Sequence, residues 1–235
     1  MSVDLIGANL KVIWCSMNSM QHDNKRTIKG TNVSSINLED MIISTLSRLD
    51  IVQTSIRKID LAPLETCKNL EILMIQDNSE LCEIDLSAIS HLENLHSLAV
   101  SGCKIDELDL TPISSLKKLI YLDISKNRLS YVDLKPVTLC PSLQDIHLEK
   151  NPLNLERLKM REIHKLQDLR LFSVRGVTDL TNFEQTFDLT GLIYCEKLEE
   201  LRIDEDVYLI YSYLAKDKEW PKGLLKYEHE ALMTY

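Results

Sequence analysis

The sequence predicts an α/β solenoid, with a parallel sheet of short strands on one face and short helices or 3-10 turns on the other. Two observations carry this reading. Segments opening at Leu46, Leu70, Leu95, Leu119, Leu143, Leu169 and Leu198 follow one another at spacings of 24, 25, 24, 24, 26 and 29 residues. A fixed period of that size marks stacked repeats, each of which buries its apolar face only against its neighbours. Within each opening the apolar residues alternate, as at Leu73 and Ile75 or Leu122 and Ile124. A period of two is the pattern of a strand with one face inward.

Each unit has further parts that stacking explains. The slot after the strand holds Asn18, Thr54, Asn78, Cys103, Asn127, Asn151, Val177 and Asp206. A buried Asn is costly unless its amide bonds main-chain groups, which adjacent turns supply. Asn18, Asn78, Cys103, Asn127 and Asn151 are therefore expected to form a structural ladder. The second half of the unit reads IDLAPLETC, IDLSAISHL, LDLTPISSL, VDLKPVTLC and FDLTGLIYC. Pro63, Pro112 and Pro136 stand where a short helix or 3-10 segment begins, since proline fits the first helical turn. The recurring Asp4, Asp60, Asp85, Asp109, Asp133 and Asp188 are read as caps of that turn. Stacked about 5 Å apart, like charges need separate partners, and the N–H groups of the turn provide them.

With L-x-x-L-x-L-x-x-N-x-L or a close variant recurring over residues 3–206, the chain resembles the leucine-rich-repeat family. Its IDLxPL half is similar to the small free-standing cytosolic members. The resemblance implies a curved horseshoe with the sheet on the concave face. Residues 1–206 are expected to form about eight turns. The first, from Leu10, is lengthened by a polar loop at 21–34, and a later one by an insertion at 178–187. Residues 207–235, which hold Tyr208, Tyr211, Tyr213, Trp220 and Tyr227, are expected to cap the same domain, with a closing helix between Leu224 and Met233.

The composition narrows function. The formal net charge of −9 repels phosphate backbones, so nucleic acid is not an expected partner. The first residues lack a secretory pattern, and no apolar run is long enough to span a membrane. The six cysteines form no C-x-x-C element, so reduced thiols in a cytoplasmic monomer are expected. No nucleotide-binding, nucleophile-elbow or zinc-protease motif occurs. No cofactor, metal or catalytic activity is therefore expected. His147 shares a column with Asp123, and without a nucleophile this reads as a solvated surface pair.

The positions between the inward leucines point out of the concave face. Val12, Trp14, Val52, Ile72 and Met74 gather there with Arg48, and Tyr121 and His147 follow along the same columns. Exposed Trp, Met and Arg suit a binding hot spot, unless the 21–34 loop folds over them. The expected function is a scaffold that binds another protein. A regulatory subunit of a GTPase or phosphatase is an alternative within that class. An enzyme or small-molecule binder is the alternative outside it, with no supporting constellation.

Overall fold

The computed structural model describes residues 24–39, 45–176 and 185–234. In chain order its strands are β1 (Lys25–Gly30), β2 (Arg48–Thr54), β3 (Lys58–Ile59), β4 (Ile72–Gln76), β5 (Glu83–Ile84), β6 (Ser97–Ser101), β7 (Tyr121–Asp123), β8 (Asp145–His147), β9 (Leu171–Ser173), β10 (Thr186–Asp188), β11 (Glu200–Arg202), β12 (Tyr208–Ser212) and β13 (Leu232–Thr234). Eight of them form one sheet in the order β1-β2-β4-β6-β7-β8-β9-β11. Every adjacent pair is parallel. Leu49, Leu73, Leu98 and Leu122 are register partners in turn and are all essentially inaccessible. The expected α/β solenoid, one strand per repeat, is the observed fold.

The sheet ladder extends one step before each strand. Glu71 N–H donates to Ser47 O, His96 to Glu71, Ile120 to His96, Gln144 to Ile120, Arg170 to Gln144 and Glu199 to Arg170. At or just past the ends of β2, β4, β6, β7, β8 and β9 the chain turns inward through a residue of positive φ: Gln53 (53°), Asp77 (54°), Gly102 (65°), Lys126 (54°), Lys150 (57°) and Gly176 (74°). The first five directly precede the slot residues Thr54, Asn78, Cys103, Asn127 and Asn151. At Gly102 a Cβ would lie 2.4 Å from Asp77 Oδ1, so both the turn and the neighbouring side chain call for glycine there.

In the slot, Thr54, Asn78, Cys103, Asn127 and Asn151 are buried. Asn78 Nδ2 donates to Ile51 O (2.8 Å), and its Oδ1 accepts from Thr54 N (2.9 Å) and Oγ1 (2.7 Å). Asn127 Nδ2 reaches Val100 O (2.7 Å) and Ile124 O (3.1 Å). Asn151 Nδ2 reaches Ile124 O and Leu148 O, while its Oδ1 accepts from Asn127 N and Leu129 N. Cys103 Sγ instead donates to Ser101 O at 3.4 Å. Asn127 Oδ1 alone in this column is buried without a partner. Asn18 lies outside the described residues.

The other face is built from 3-10 turns at Ala62–Thr66, Ser87–His91, Thr111–Ser115, Pro136–Leu139 and Arg161–Lys165, and from one α-helical turn, Thr190–Ile193. Pro63, Pro112 and Pro136 fall in their first positions. The backbone cap is Leu61, Leu86 or Leu110, and the aspartate one residue earlier accepts the N–H two residues on. The distances are 2.9 Å for Asp60, 2.8 Å for Asp85, 2.8 Å for Asp109, 3.0 Å for Asp133 and 2.9 Å for Asp188. Bonds from the Thr111 hydroxyl and N–H hold the Asp109 carboxyl below its ordinary range, against weak repulsion from Asp85.

Three sequence expectations are corrected here. Residues 25–30 are a strand of the main sheet, paired along its length with β2, so the described part of the 21–34 segment, residues 24–34, is not simply a loop and does not fold over the concave face as a cover. Main-chain bonding to β2 and complete burial of Ile28 outweigh the polarity of KRTIKG. The 178–187 insertion ends in β10, which pairs with β12. No helix spans Leu224 to Met233: a 3-10 segment covers Lys222–Tyr227, and β13 then pairs with β12.

After β11 the chain therefore supplies β12 and β13 to a second sheet, β10-β12-β13. It also lays Lys222–Tyr227 against the last strand of the main sheet. Gly223 N–H donates to Leu198 O (2.9 Å), and Tyr227 Oη donates to Leu201 O (3.3 Å). Trp220 and Leu224 are buried in the common core, with Tyr211 edge-on to Trp220 at 5.2 Å. Tyr208 and Tyr213 are exposed. We read residues 207–235 as the cap of the same domain.

Two outcomes follow from this bonding. Asn127→Leu is expected to lower unfolding free energy by about 1–3 kcal/mol, because the carbonyls of Val100, Ile124 and Ser125 lose a donor, and chemical denaturation would measure it. Asp109→Asn is expected to leave the melting temperature unchanged, whereas Asp109→Ala costs about 0.5–2 kcal/mol. Equal behaviour of the two variants would remove the capping role.

Candidate interaction face

Strand register sets the columns that point away from the core. One column runs Lys25, Arg48, Ile72, Ser97, Tyr121, Asp145, Leu171, Glu200. The central column runs Thr27, Asp50, Met74, Ala99, Asp123, His147, Ser173, Arg202. A third begins Lys29, Val52, Gln76, Ser101. Arg48, Val52, Ile72, Met74, Tyr121 and His147 therefore share one face, and all are half-buried. Val12 and Trp14 lie outside the described residues. The turn next to β2 presents Lys25, Thr27 and Lys29 instead, which alternation of apolar residues had no means to reveal.

The first half of the face is apolar with one charge pair. Val52, Ile72 and Met74 adjoin across β2 and β4. Arg48 Nε lies 2.7 Å from Asp50 Oδ2, and Thr27 Oγ1 donates weakly to the same carboxylate at 3.4 Å. Arg48 is thus held by its own strand. In the middle, Ala99 and Ser173 are buried, forming a floor between longer side chains.

The second half is a titratable cluster. The Tyr121 and His147 rings are 5.1 Å apart. His147 Nδ1 lies 3.2 Å from Glu149 Oε1, so its partner is Glu149, two residues on, and not Asp123. Only 15% of the His147 side chain is exposed, so the expected solvated His–Asp pair is corrected. Asp123 is itself buried and accepts Ser125 N–H at 2.9 Å. Burial, and then the charges of Asp123, Glu149 and Asp145, push the Tyr121 hydroxyl up to about 12. The hydrogen bond to Glu149 raises His147 despite the opposing effect of burial. Burial acts to raise Glu149, but the bonds to His147, its own backbone and Ser173 prevail and its carboxyl is lowered. Glu149 Oε2 is buried with no hydrogen-bond partner. Arg202 is bound bidentately by Glu200, at 2.8 and 2.9 Å.

Sequence reasoning placed Asp123 in the His147 column but missed Glu149 and Asp145 as parts of this cluster. The available signal was the period of two, which places Asp145, His147 and Glu149 on one side of the same strand. Among the described residues no group of histidine, cysteine and acidic side chains has the arrangement of a metal site. No described helix is long and apolar enough to cross a membrane.

Comparisons with known proteins agree with this architecture. A family model described as leucine rich repeat matches residues 93–153. No curated protein is significantly similar to the chain. Among solved structures, internalin C2 of Listeria monocytogenes is 17% identical, with a TM-score of 0.55 over 76% of each chain. A leucine-rich-repeat protein of Leptospira interrogans is 20% identical, with a TM-score of 0.60 over 79% of this chain and 49% of its own. The plant peptide hormone receptor RGFR1, solved in complex with RGF2, is 18% identical, with a TM-score of 0.60 over 79% of this chain and 29% of its own. The chain thus spans about half of the second and less than a third of the third. At these identities the likeness is one of fold.

The raised His147 pKa gives a direct test of the cluster. A proton resonance titration is expected to place His147 above its ordinary value of about 6.5, and Glu149→Gln is expected to bring it down. A group raised on folding contributes stability that is full below its unfolded pKa and is lost as pH rises through the folded one. The stability difference between parent and Glu149→Gln should therefore shrink as pH climbs through that window. A His147 that titrates identically in both proteins refutes the pairing.

Proposed function

We propose that this chain, a leucine-rich-repeat protein, is a non-enzymatic scaffold that binds another protein on its concave sheet face. Solenoids of this kind present extended concave surfaces that commonly mediate protein–protein interaction. The observation that carries the reading is the unbroken eight-strand parallel sheet, whose outer face joins an apolar stretch, Val52, Ile72 and Met74, to the charged and aromatic cluster around His147. Apolar anchors beside a polar field are the anatomy of an interface that gains affinity from one part and orientation from the other. RGFR1, which shares the fold, is solved in complex with RGF2.

The described cysteines, Cys67, Cys82, Cys103, Cys140 and Cys195, are free, which supports a reducing, cytoplasmic setting. Burial raises the thiols of Cys103 and Cys140 to about 11 and that of Cys195 to about 12. They serve as small apolar packing groups and not as nucleophiles. We read the protein as a monomer in which the partner surface lies on the sheet.

The test is capture of a stoichiometric partner from the source cell by parent and variants. Ile72→Asp and Met74→Asp are expected to abolish capture at an unchanged melting temperature, because hot-spot side chains contribute about 2 kcal/mol or more each. Leu139→Asp, at an exposed position on the opposite face, is expected to leave it intact. The reverse pattern places the interface on the convex side and overturns the proposal.

A further inference from the structure

We propose that the corner of the solenoid past the carboxyl ends of β2, β6, β7 and β8 is a second contact surface, which takes an acidic segment of a protein partner. It lies beside the concave face and does not depend on the reading of that face. The residues are Arg57, Lys104, Lys126, Arg128 and Lys150. The chain carries a net charge of −9, yet this corner sets those five cations against the acids Asp77 and Glu80.

The stack brings them together. Lys126 N–H donates to Glu149 O (2.8 Å) and Lys150 N–H to Arg175 O (2.9 Å). The two lysines thus occupy equivalent bends on adjacent turns, about 5 Å apart along the ladder. Lys126 and Arg128 stand exposed on either side of the buried Asn127. Glu80 ties Arg128 to the earlier turns. It forms an ion pair with Lys104 at 2.8 Å. That bond and the Lys104 charge hold its carboxyl below the ordinary range, and Arg57 and Arg128 add to the effect against slight desolvation. One carboxylate therefore lies in the field of three cations.

Among the described residues Arg57, Lys126, Arg128 and Lys150 make no ion pair and no side-chain hydrogen bond, and all four are exposed. Glu149, next to Lys150 in sequence, is taken by His147, and Arg175 on the following turn has Asp204 at 3.8 Å. Cations gathered at this spacing repel one another, and carboxylates of a partner relieve the repulsion. The flanks select the form of the guest. The groove on one side carries Glu83, Asp85, Asp106 and Glu107 against Lys58 alone, and the concave cluster at Asp145 and Glu149 bounds the other. A nucleic-acid duplex is charged along both strands and would meet those acids, whereas a single peptide segment lies within the strip.

The probe is acetyl-hexaglutamate amide, with acetyl-hexaglutamine amide as control, titrated into the full chain at low ionic strength. Saturable binding is expected with the glutamate peptide alone, and added salt should weaken it by screening exposed charges. One variant combines Lys126→Asn, Arg128→Gln and Lys150→Asn, since asparagine tolerates the left-handed backbone of the two bends. It should bind about tenfold more weakly, the loss expected for three exposed ion pairs together, at an unchanged melting temperature. Arg128→Gln alone leaves both bends untouched and should still weaken binding. A second triple variant, Lys165→Gln, Lys197→Gln and Lys218→Gln, removes the same charge from exposed positions elsewhere and should leave the affinity within about twofold of the parent. Equal loss in the two triple variants means that net charge alone attracts the peptide, and it overturns the proposal. So does a failure of the glutamate peptide to saturate, or equal binding of the glutamine control. Tighter binding of a single-stranded RNA hexanucleotide than of the glutamate peptide assigns the strip to phosphate and overturns it as well.

Discussion

A parallel stack with one short strand per repeat creates the same difficulty at the end of every strand. The chain turns inward, its N–H and C=O groups leave the sheet ladder, and they remain buried. The structure resolves this with two linked devices. A residue in the left-handed region bends the backbone, and the next side chain then points inward at the orphaned groups. Four of those bends are made by non-glycine residues, Gln53, Asp77, Lys126 and Lys150, each at a cost of about 1–2 kcal/mol. The amides of Asn78, Asn127 and Asn151 offset it by donating to carbonyls of their own or the preceding turn, and Asn78 and Asn151 also accept from neighbouring N–H groups. Asn suits the slot because its amide carries donor and acceptor on a short stem. Thr54 and Cys103 show what a partial substitute does: the hydroxyl donates to Asn78, the thiol donates only to Ser101 O in its own turn, and Asn127 Oδ1 next to Cys103 is left bare.

The features that were legible in the sequence are those repeated often enough to average out local noise. Leu49, Leu73, Leu98 and Leu122 recur in register, as do the slot residues and the aspartates from Asp60 to Asp133, because each turn meets the same physical problem as its neighbour. The ends meet a different one. In β1 only Ile28 is apolar and inward, and Arg26 stands where the next turn has Leu49, so no alternation marks the strand. Pairing with β2 creates it. At the other end, the segment after Pro221 has helix-forming residues, yet three of its last residues pair with β12 instead. A short isolated helix is marginal in water, whereas an existing strand edge supplies main-chain partners at once.

On the concave face, period two gave the direction of each side chain but not its partner. His147 bonds Glu149 and not Asp123, whose carboxylate is buried and already accepts Ser125 N–H. The longer glutamate also bridges the roughly 7 Å between alternate residues of a strand. Arg48–Asp50 and Arg202–Glu200 repeat the arrangement. These three pairs run along their strands, while across strands the columns set unlike neighbours together, such as Arg48 beside Ile72 or Leu171 beside Glu200.

That direction of pairing has a consequence for how the molecule divides its work. Ion pairs within one strand do not tie successive turns together, and pairs this accessible contribute little to stability. Cohesion between turns comes instead from the core leucines, the sheet ladder and the buried amides, all of which lie behind the sheet. In a stack where each turn touches only its neighbours, stability is close to a sum over turns and interfaces. The outer side chains are then free to vary in charge and size without weakening the stack. The fold therefore tolerates the acidic, aromatic middle of the face and its apolar first half because it does not depend on them.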